Sequence, residues 1–228
     1  MPLFGPEPPL HAALPLRRIA LYPGAFRPPH AAHVHAVHAL LQRRDIDEVV
    51  VIVSNRCRPV PGTTRVLGAD VAEKIWGIYL RGFDTSRVRV EMASETAIRH
   101  ALEYFHRVPP GSTLYFCLGE ADFASGDPRF QSIAELAERT GIAASIIAAP
   151  TGGMTVRGTD VRAALGQREA GRHAFLAALP DYLTETERQD VWELCRANLK
   201  AMSEVLAPTI RTIVERQALG PLVELRPV

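Results

Sequence analysis

Four of the eight histidines in this 228-residue chain lie between His30 and His38. His30 and His33 are three positions apart across the start of a predicted helix, so their side chains can project from the same side. Imidazole N–H groups placed in this way can donate hydrogen bonds to phosphoryl oxygens whose negative charge grows in a transition state. The other two histidines of the group, His35 and His38, fit solvated or packed helix residues. The spacing therefore predicts that the first pair binds an anion.

Zinc binding is an alternative use of a histidine cluster. Neither a cysteine nor a carboxylate lies between His30 and His38 to complete a set of ligands. We therefore expect no metal site in this segment.

The residues around the histidine pair predict a strand, a loop and a helix. Residues 19–22 are apolar, as in a buried strand of a parallel sheet, and from about His33 the apolar residues recur at helical spacing. The loop between them holds Gly24, whose missing Cβ permits close approach of a ligand, and Pro28-Pro29, which stiffens the chain. Open α/β sheets bind ligands at such loops, where free helix N–H groups favour phosphate.

A second helix start carries arginine. The run Arg157-Gly158-Thr159 precedes residues with helical spacing that begin at Val161. Thr159 is predicted as the N-cap, which places Arg162 in the first turn beside free N–H groups. A guanidinium and amide donors together make a strong phosphate site. The chain is therefore predicted to have two anion-binding helix starts.

Two further strand ends carry polar residues. Residues 48–54 (EVVVIVS) predict a strand buried on both faces, and Arg56 and Arg58 follow it. These arginines can reach the same ligand space or remain surface charges. Gly119 and Asp122 follow the predicted strand at residues 113–118, where the carboxylate can accept from a sugar hydroxyl or a base amine, or cap the next turn.

The two motifs together resemble those of a known superfamily. The segment from Gly24 to His33 (GAFRPPHAAH) resembles the HxGH-type signature of the nucleotidylyltransferases, with Ala32 in place of the usual glycine. Residues 150–165 resemble the ISSTxxR-type signature of the same superfamily, with Arg157-Gly158-Thr159 replacing its small hydroxylated residues. The resemblance covers residues 17–182. The superfamily includes nicotinamide and nicotinate mononucleotide adenylyltransferases and cytidylyltransferases.

The resemblance implies transfer of a nucleoside monophosphate to a phosphate-bearing acceptor with release of pyrophosphate. An acceptor phosphate is already anionic, so catalysis can consist of positioning and charge stabilisation, without a general base. Mg²⁺ is expected to arrive with the triphosphate, because no protein carboxylate cage is evident. Catalytic roles are expected for His30, His33 and Arg162. Contacts with the nucleotide or substrate are expected for Tyr22, Gly24, Ala25, Phe26, Arg27, Arg56, Arg58, Gly119, Asp122, Arg157, Gly158 and Thr159.

The composition argues against nucleic acid and membranes as partners. Lysine and arginine number 26 against 25 acidic residues, a net charge of +1, so no overall positive field recruits nucleic acid. The cysteines Cys57, Cys117 and Cys195 are scattered, which favours a reducing compartment. Residues 1–16 lack the pattern of a signal peptide, and no apolar run is long enough to span a membrane. We therefore expect a cytoplasmic protein with small-molecule partners.

The fold is predicted as an α/β, Rossmann-like open parallel sheet of five strands with helices on both faces and a C-terminal helical appendage. Residues 1–16 are expected to form a loose arm, 17–182 the α/β domain and 183–228 a helical extension. A capping box at Thr184 and Glu187 predicts the start of a helix that reaches Leu206, and a second helix is predicted near residues 210–219. The extension has more apolar positions than one helix face needs, which suggests that it contacts another copy of the chain in a homo-oligomer.

Several functional alternatives remain open at this point. ATP and a mononucleotide-like acceptor are favoured by the motif segments, but CTP with a sugar or alkyl phosphate is also consistent with them. A fragment of a class I aminoacyl-tRNA synthetase shares the histidine motif, although the chain is short and lacks an evident anticodon-binding module. A non-catalytic nucleotide sensor of the same fold is a further alternative, motivated by Ala32 and the altered second signature.

Overall fold

The predicted parallel sheet is present. A computed structural model describes residues 15–126 and 130–205. Within these residues, five parallel strands lie in the order β5-β2-β1-β6-β7. Their bounds are β1 Arg18–Gly24, β2 Glu48–Val53, β5 Val88–Met92, β6 Thr113–Leu118 and β7 Ala143–Ala148. The first strand in the sequence is therefore the central strand of the sheet.

The register aligns the carboxyl ends of the central strands. Ile19 pairs with Glu48 and Gly24 with Val53, so β1 and β2 end side by side. On the other side, Leu21 of β1 pairs with Phe116 of β6. β2 and β5 lie on one side of β1, and β6 and β7 lie on the other. A ligand crevice forms at such a reversal of strand order. The loops after β1, β2 and β6 therefore share one edge of the sheet.

Helices cover both faces, as predicted. One buried cluster packs α1, α2, α6, α7 and α8 against one face of the sheet, and a second packs α3 and α5 against the other. Trp76 lies in the first cluster and is fully buried. The helices are α1 Ala31–Leu41, α2 Asp70–Tyr79, α3 Ala97–Leu102, α4 Glu120–Ser125, α5 Ile133–Thr140, α6 Gly158–Gly166, α7 Arg172–Ala177 and α8 Glu185–Ala197.

The C-terminal helix starts as predicted and ends early. Thr184 caps α8, and its hydroxyl accepts from the backbone N–H of Glu187 in a capping box. The prediction that this helix reaches Leu206 is wrong, because α8 ends at Ala197 and β8 (Leu199–Ala201) follows. β8 pairs with β4 (Arg65–Leu67), which lies more than 100 residues earlier in the chain. A three-residue strand that depends on such a distant partner is too short to show a periodic pattern of apolar residues in the sequence.

β8 belongs to a second, small antiparallel sheet that the sequence analysis did not predict. Its strands lie in the order β3-β4-β8, and β3 is only Arg58–Pro59. α8 joins the main core through buried Val191, Trp192 and Cys195. The predicted helix near residues 210–219 and most of the predicted N-terminal arm lie outside the described residues. The division of the chain into three parts stays a prediction.

Among the described residues, no helix is both long enough and apolar enough to cross a membrane.

Candidate functional site

His30 and His33 lie together at the start of α1. His30 is the N-cap residue with an extended backbone, and the helix begins at Ala31, slightly earlier than predicted. The two imidazole rings are stacked, with centroids 3.7 Å apart and an interplanar angle of 28°. The backbone N–H of His30 donates to Nδ1 of His33 over 3.2 Å. The structure therefore brings the predicted pair together at the amino end of a helix.

The surroundings keep both imidazoles neutral. Burial lowers the pKa of His30 to about 4. Burial, followed by the charge of His30, lowers the pKa of His33 well below its usual value. Because Nδ1 of His33 accepts a hydrogen bond, the proton of the neutral ring resides on Nε2. His33 can thus offer one N–H donor from a fixed ring, without carrying a charge.

Nδ1 of His30 is buried and has no hydrogen-bond partner among the described residues. His30 itself is only 3% exposed. A buried polar nitrogen without a protein partner normally binds water or a ligand. The side chain of His30 faces the backbone N–H of His33 in a capping-box arrangement, so this nitrogen is enclosed by the start of the helix itself.

Aromatic side chains support the histidines from beneath. The ring of Phe26 contacts His33 edge to face, with centroids 4.9 Å apart, and also packs against Tyr22 and Trp76. Phe26 has a positive φ of 51° and is almost fully buried. A Cβ added to Gly24 would lie 2.6 Å from the Phe26 ring. Gly24 is therefore required for aromatic packing, a role different from the close ligand approach that the sequence suggested.

Arg27 holds the motif loop together from inside the protein. Its side chain is 1% exposed and donates to the backbone carbonyls of Ala25, Gly68 and Ser54. Burial is the main cause that lowers the pKa of its guanidinium to about 10. The side chain thus links the loop after β1 to the end of β2 and the start of α2. Its contact with a nucleotide stays a prediction.

The second helix start differs from its prediction by two residues. Arg157 has the extended backbone of an N-cap and α6 begins at Gly158, so the prediction of Thr159 as the N-cap is wrong. The Thr159 hydroxyl instead accepts from Nη2 of Arg162 over 3.2 Å. Because the helix starts earlier, Arg162 lies in its second turn. Arg157 offers no side-chain cap, so the sequence carries no capping signal at this position.

Arg162 connects three segments. Its Nε donates to the carbonyl of Pro59 and its Nη1 to the carbonyl of Arg27, each over 2.9 Å. A Cβ added at Gly158 would lie 3.5 Å from Arg162 Nη1 and 4.0 Å from His30 Nε2. The two predicted helix starts therefore adjoin, and the side chains of Arg162 and His30 both approach the Cα of Gly158 from the side on which a Cβ would lie.

A polar cavity of about 350 Å³ opens beside these helix starts, at the carboxyl ends of the strands. Six predicted residues line it, namely Gly24, Ala25, Arg56, Arg58, Gly119 and Asp122. Ser54, Thr96 and Phe130 also line it, and the sequence analysis did not identify them. Ser54 could have been identified from the sequence, because it is the last residue of the predicted second strand and ligands bind at the carboxyl ends of such strands.

Arg58 links this cavity to the helix starts. Its positive charge contributes to lowering the pKa of both Arg27 and Arg162, after burial. The guanidinium of Arg162 also donates to the carbonyl of Pro59, the neighbour of Arg58, so the cavity lies near the start of α6. A common functional role for these residues stays a prediction. Tyr22, Phe26 and Arg27 are buried, and Arg157 and Thr159 are exposed at the start of α6.

A second, mainly apolar cavity of about 600 Å³ lies on the other side of α1. Ala31, His35 and His38 line it from α1, and Met154 and Val156 from the segment before α6. Phe83 and Tyr182 complete its aromatic wall. Sequence reasoning missed this cavity because its walls come from separate segments, although His35 and His38 belong to the histidine cluster.

Possible metal ligands are not clustered in the part of the chain that the structure describes. Among the residues that the structure describes, no group of three or more histidine, cysteine, aspartate or glutamate side chains could hold a metal ion.

No family model and no curated protein matches this chain. Among solved structures, it is similar to Plasmodium falciparum nicotinic acid mononucleotide adenylyltransferase complexed with APC, at 15% identity and a TM-score of 0.45, over 65% of this chain and 84% of that chain. It is also similar to NadR protein in complex with NR, at 17% identity and a TM-score of 0.40, over 66% of this chain and 42% of that chain. At these identities the likeness concerns the fold.

Proposed function

We propose that this protein is a nucleotidylyltransferase that transfers a nucleoside monophosphate, with AMP from ATP favoured, to a phosphate-bearing small molecule and releases pyrophosphate. Nicotinamide and nicotinate mononucleotide are among the candidate acceptors. The observation that carries this proposal is the meeting of two helix starts at Gly158, where Arg162 and His30 both lie within about 4 Å of the position that a Cβ would take.

The arrangement suits a triphosphate. The first helical hydrogen bond of α6 is donated by Asp160, so the N–H groups of Gly158 and Thr159 precede it, whereas Ala31 and His33 of α1 already donate to Ala178 and His30. The dipoles of both helices favour negative charge at their starts. The Nε2–H of neutral His33 donates to the α-phosphoryl oxygens, whose charge grows in the transition state. Arg162 and the start of α6 bind the β- and γ-phosphates.

The reaction needs no protein base. The acceptor phosphate oxygen attacks the α-phosphorus, a P–O bond forms, and the bond to the β-phosphate oxygen breaks as pyrophosphate leaves with its electron pair. Both histidines have lowered pKa values because they are buried, so they remain neutral donors at pH 7. Positioning and charge stabilisation supply the rate enhancement.

The two cavities differ in the chemistry that they offer. Two arginines line the polar cavity after β2, which suits the phosphate-bearing acceptor. The apolar cavity beside α1 suits the base of the nucleotide, because a flat heterocycle can pack on its aliphatic and aromatic walls. The phosphates of both substrates then meet at the helix starts between the cavities.

Magnesium is proposed to arrive bound to the triphosphate, since the described residues offer no cage for it. We further propose a cytoplasmic location, in keeping with three free cysteines among the described residues. The partners are proposed to be small molecules rather than nucleic acid or membrane, and a homo-oligomer is consistent with the apolar C-terminal extension.

Pyrophosphate release tests this function. ATP, CTP, GTP and UTP are crossed with a panel of phosphorylated acceptors in the presence of Mg²⁺, using wild type, His33→Ala and His106→Ala. We expect release for one pair with wild type and with His106→Ala, whose exposed histidine lies outside the site. The active pair also identifies the base and the acceptor.

Nucleotide binding without release for any pair would contradict the transferase and favour a nucleotide sensor of the same fold. One observation favours that second candidate: three nitrogens of the Arg162 guanidinium already donate to protein oxygens. Calorimetry of ATP binding, run beside the release assay, separates the two functions.

A further inference from the structure

A third cavity lies at the opposite end of α6 from the proposed reaction centre. It measures about 720 Å³ and is bordered by the loop before β4, the end of α6 and the end of α8. α6 runs from Gly158 to Gly166, so its two ends are roughly 12 Å apart. The cavity is therefore separate from the helix start at which Arg162 lies.

Three arginines reach this cavity from three different segments. Arg65 begins β4, Arg168 follows α6, and Arg196 lies in the last turn of α8. One acidic residue, Glu193, accompanies them in the lining. The local excess of positive charge contrasts with a net charge of only +1 for the entire chain.

The carboxylates of the protein neutralise these arginines poorly. Arg196 lies 3.7 Å from both Glu169 and Glu193, longer than a good charge-assisted hydrogen bond, and its guanidinium rests on the Trp192 ring. The side chains of Arg65 and Arg168 form no ion pair with any described residue. Two of the three guanidinium groups thus retain all their donors.

The backbone around the cavity is held in an unusual shape. Arg168 has a positive φ of 54°, a conformation that is strained for a residue other than glycine. A Cβ added at Gly166 would lie 2.8 Å from the Pro61 carbonyl oxygen, so the end of α6 lies directly against the loop before β4. This close packing fixes the loop that carries Arg65 beside the segment that carries Arg168. The strained residue is itself one of the arginines of the cavity.

We propose that this cavity is a second anion site, which binds a small phosphorylated molecule between Arg65, Arg168 and Arg196. Guanidinium forks bind phosphate oxygens in pairs, and the hydroxyls of Thr63 and Thr64 line the same cavity. The site is independent of the proposed transferase reaction, because none of its residues belongs to the reaction centre.

Calorimetry of full-length protein with inorganic pyrophosphate, at constant ionic strength, tests the site. The double variant Arg65→Ala/Arg168→Ala is compared with Arg162→Ala and with Arg44→Ala/Arg139→Ala, which removes the same charge from exposed positions elsewhere. We expect the first double variant to weaken one binding event at least tenfold. Arg162→Ala and the control double variant should retain that event. Circular dichroism verifies that each variant folds.

Equal binding by wild type and Arg65→Ala/Arg168→Ala would overturn the proposal, as would an equal loss in the control double variant, which would indicate a general effect of charge. Absence of any binding event that survives Arg162→Ala would also overturn it. Failure of the transferase assay leaves these results unaffected, since they measure binding at residues outside the reaction centre.

Discussion

The imidazole rings of His30 and His33 are stacked 3.7 Å apart, and the backbone N–H of His30 holds Nδ1 of His33. One residue of the pair thus fixes both the ring position and the tautomer of the other. The N-cap position of His30 makes this possible, because its backbone N–H lies outside the helical hydrogen-bond ladder. The remaining donor of His33, Nε2–H, is therefore pre-oriented for an oxygen that becomes charged during the reaction.

Replacement of His33 by alanine is expected to lower turnover about 100-fold or more, the effect of removing one oriented donor to a developing charge. Thermal unfolding should change little, since His33 is half-buried and its ring accepts a single hydrogen bond. Turnover is measured by pyrophosphate release, with His106→Ala as the matched control. Turnover of His33→Ala within threefold of wild type would contradict the assigned role.

Arg162→Ala is expected to weaken triphosphate binding by 10- to 100-fold, about 1.4 to 3 kcal/mol, in line with the loss of charged hydrogen bonds. Arg162→Lys should recover only part of the affinity, because an ammonium cannot reproduce the fork that contacts Pro59, Arg27 and Thr159 together. Calorimetry with a non-hydrolysable ATP analogue measures both. Wild-type affinity in Arg162→Ala would remove this residue from the phosphate site.

Two glycine substitutions are expected to have opposite effects on stability. Gly24→Ala brings a Cβ to 2.6 Å from the Phe26 ring and should lower the free energy of unfolding by roughly 1–3 kcal/mol. Gly77→Ala, in the exposed middle of α2, meets no atom within 4 Å and should raise it by up to about 1 kcal/mol. Urea unfolding measures both values. Gly24→Ala should also lower turnover, since Phe26 supports His33.

Acid is expected to destabilise the fold through His30. The unfolded chain binds a proton at this residue below about pH 6.5, whereas burial lowers the pKa in the folded protein to about 4. Between these values the unfolded state holds more protons, so the free energy of unfolding decreases as pH falls from 6.5 to 4, by roughly 3 kcal/mol from this group.

Urea unfolding at several pH values compares wild type with His30→Gln, which cannot titrate. Wild type should lose stability relative to the variant as pH falls, and the difference should be constant above pH 7. A difference that does not depend on pH between 4 and 6.5 would show that His30 titrates normally in the folded protein.

Local sequence signals predicted the elements that position the site. Runs of β-branched residues such as residues 48–54 predicted the sheet, and the change to helical spacing near His33 predicted α1. The predicted start of α6 and the predicted end of α8 were wrong. Both helix ends involve contacts that leave no local pattern in the sequence. Arg162 binds the Thr159 hydroxyl that was expected to cap the helix, and β8 pairs with β4, far away in the chain.

The buried position of Arg27 could not be read from the sequence either. Arginine is almost always exposed, so its type predicts a surface or ligand contact. In the structure three backbone carbonyls from separate segments surround its guanidinium. Only the assembled fold brings these carbonyls together, as it does the walls of the apolar cavity beside α1.

Arg56 and Arg58 are expected to affect the acceptor rather than the nucleotide. Both line the polar cavity, whereas neither contacts the apolar cavity beside α1. Arg56→Ala should therefore raise the KM for the phosphorylated acceptor by about tenfold and leave the KM for ATP within twofold, as the loss of one charged contact predicts. Arg58→Ala should raise both values, because the charge of Arg58 also reaches Arg162. Steady-state kinetics with each substrate varied in turn measures the split, and Arg44→Ala is the exposed control. A larger effect of Arg56→Ala on the KM for ATP would reverse the assignment of the two cavities.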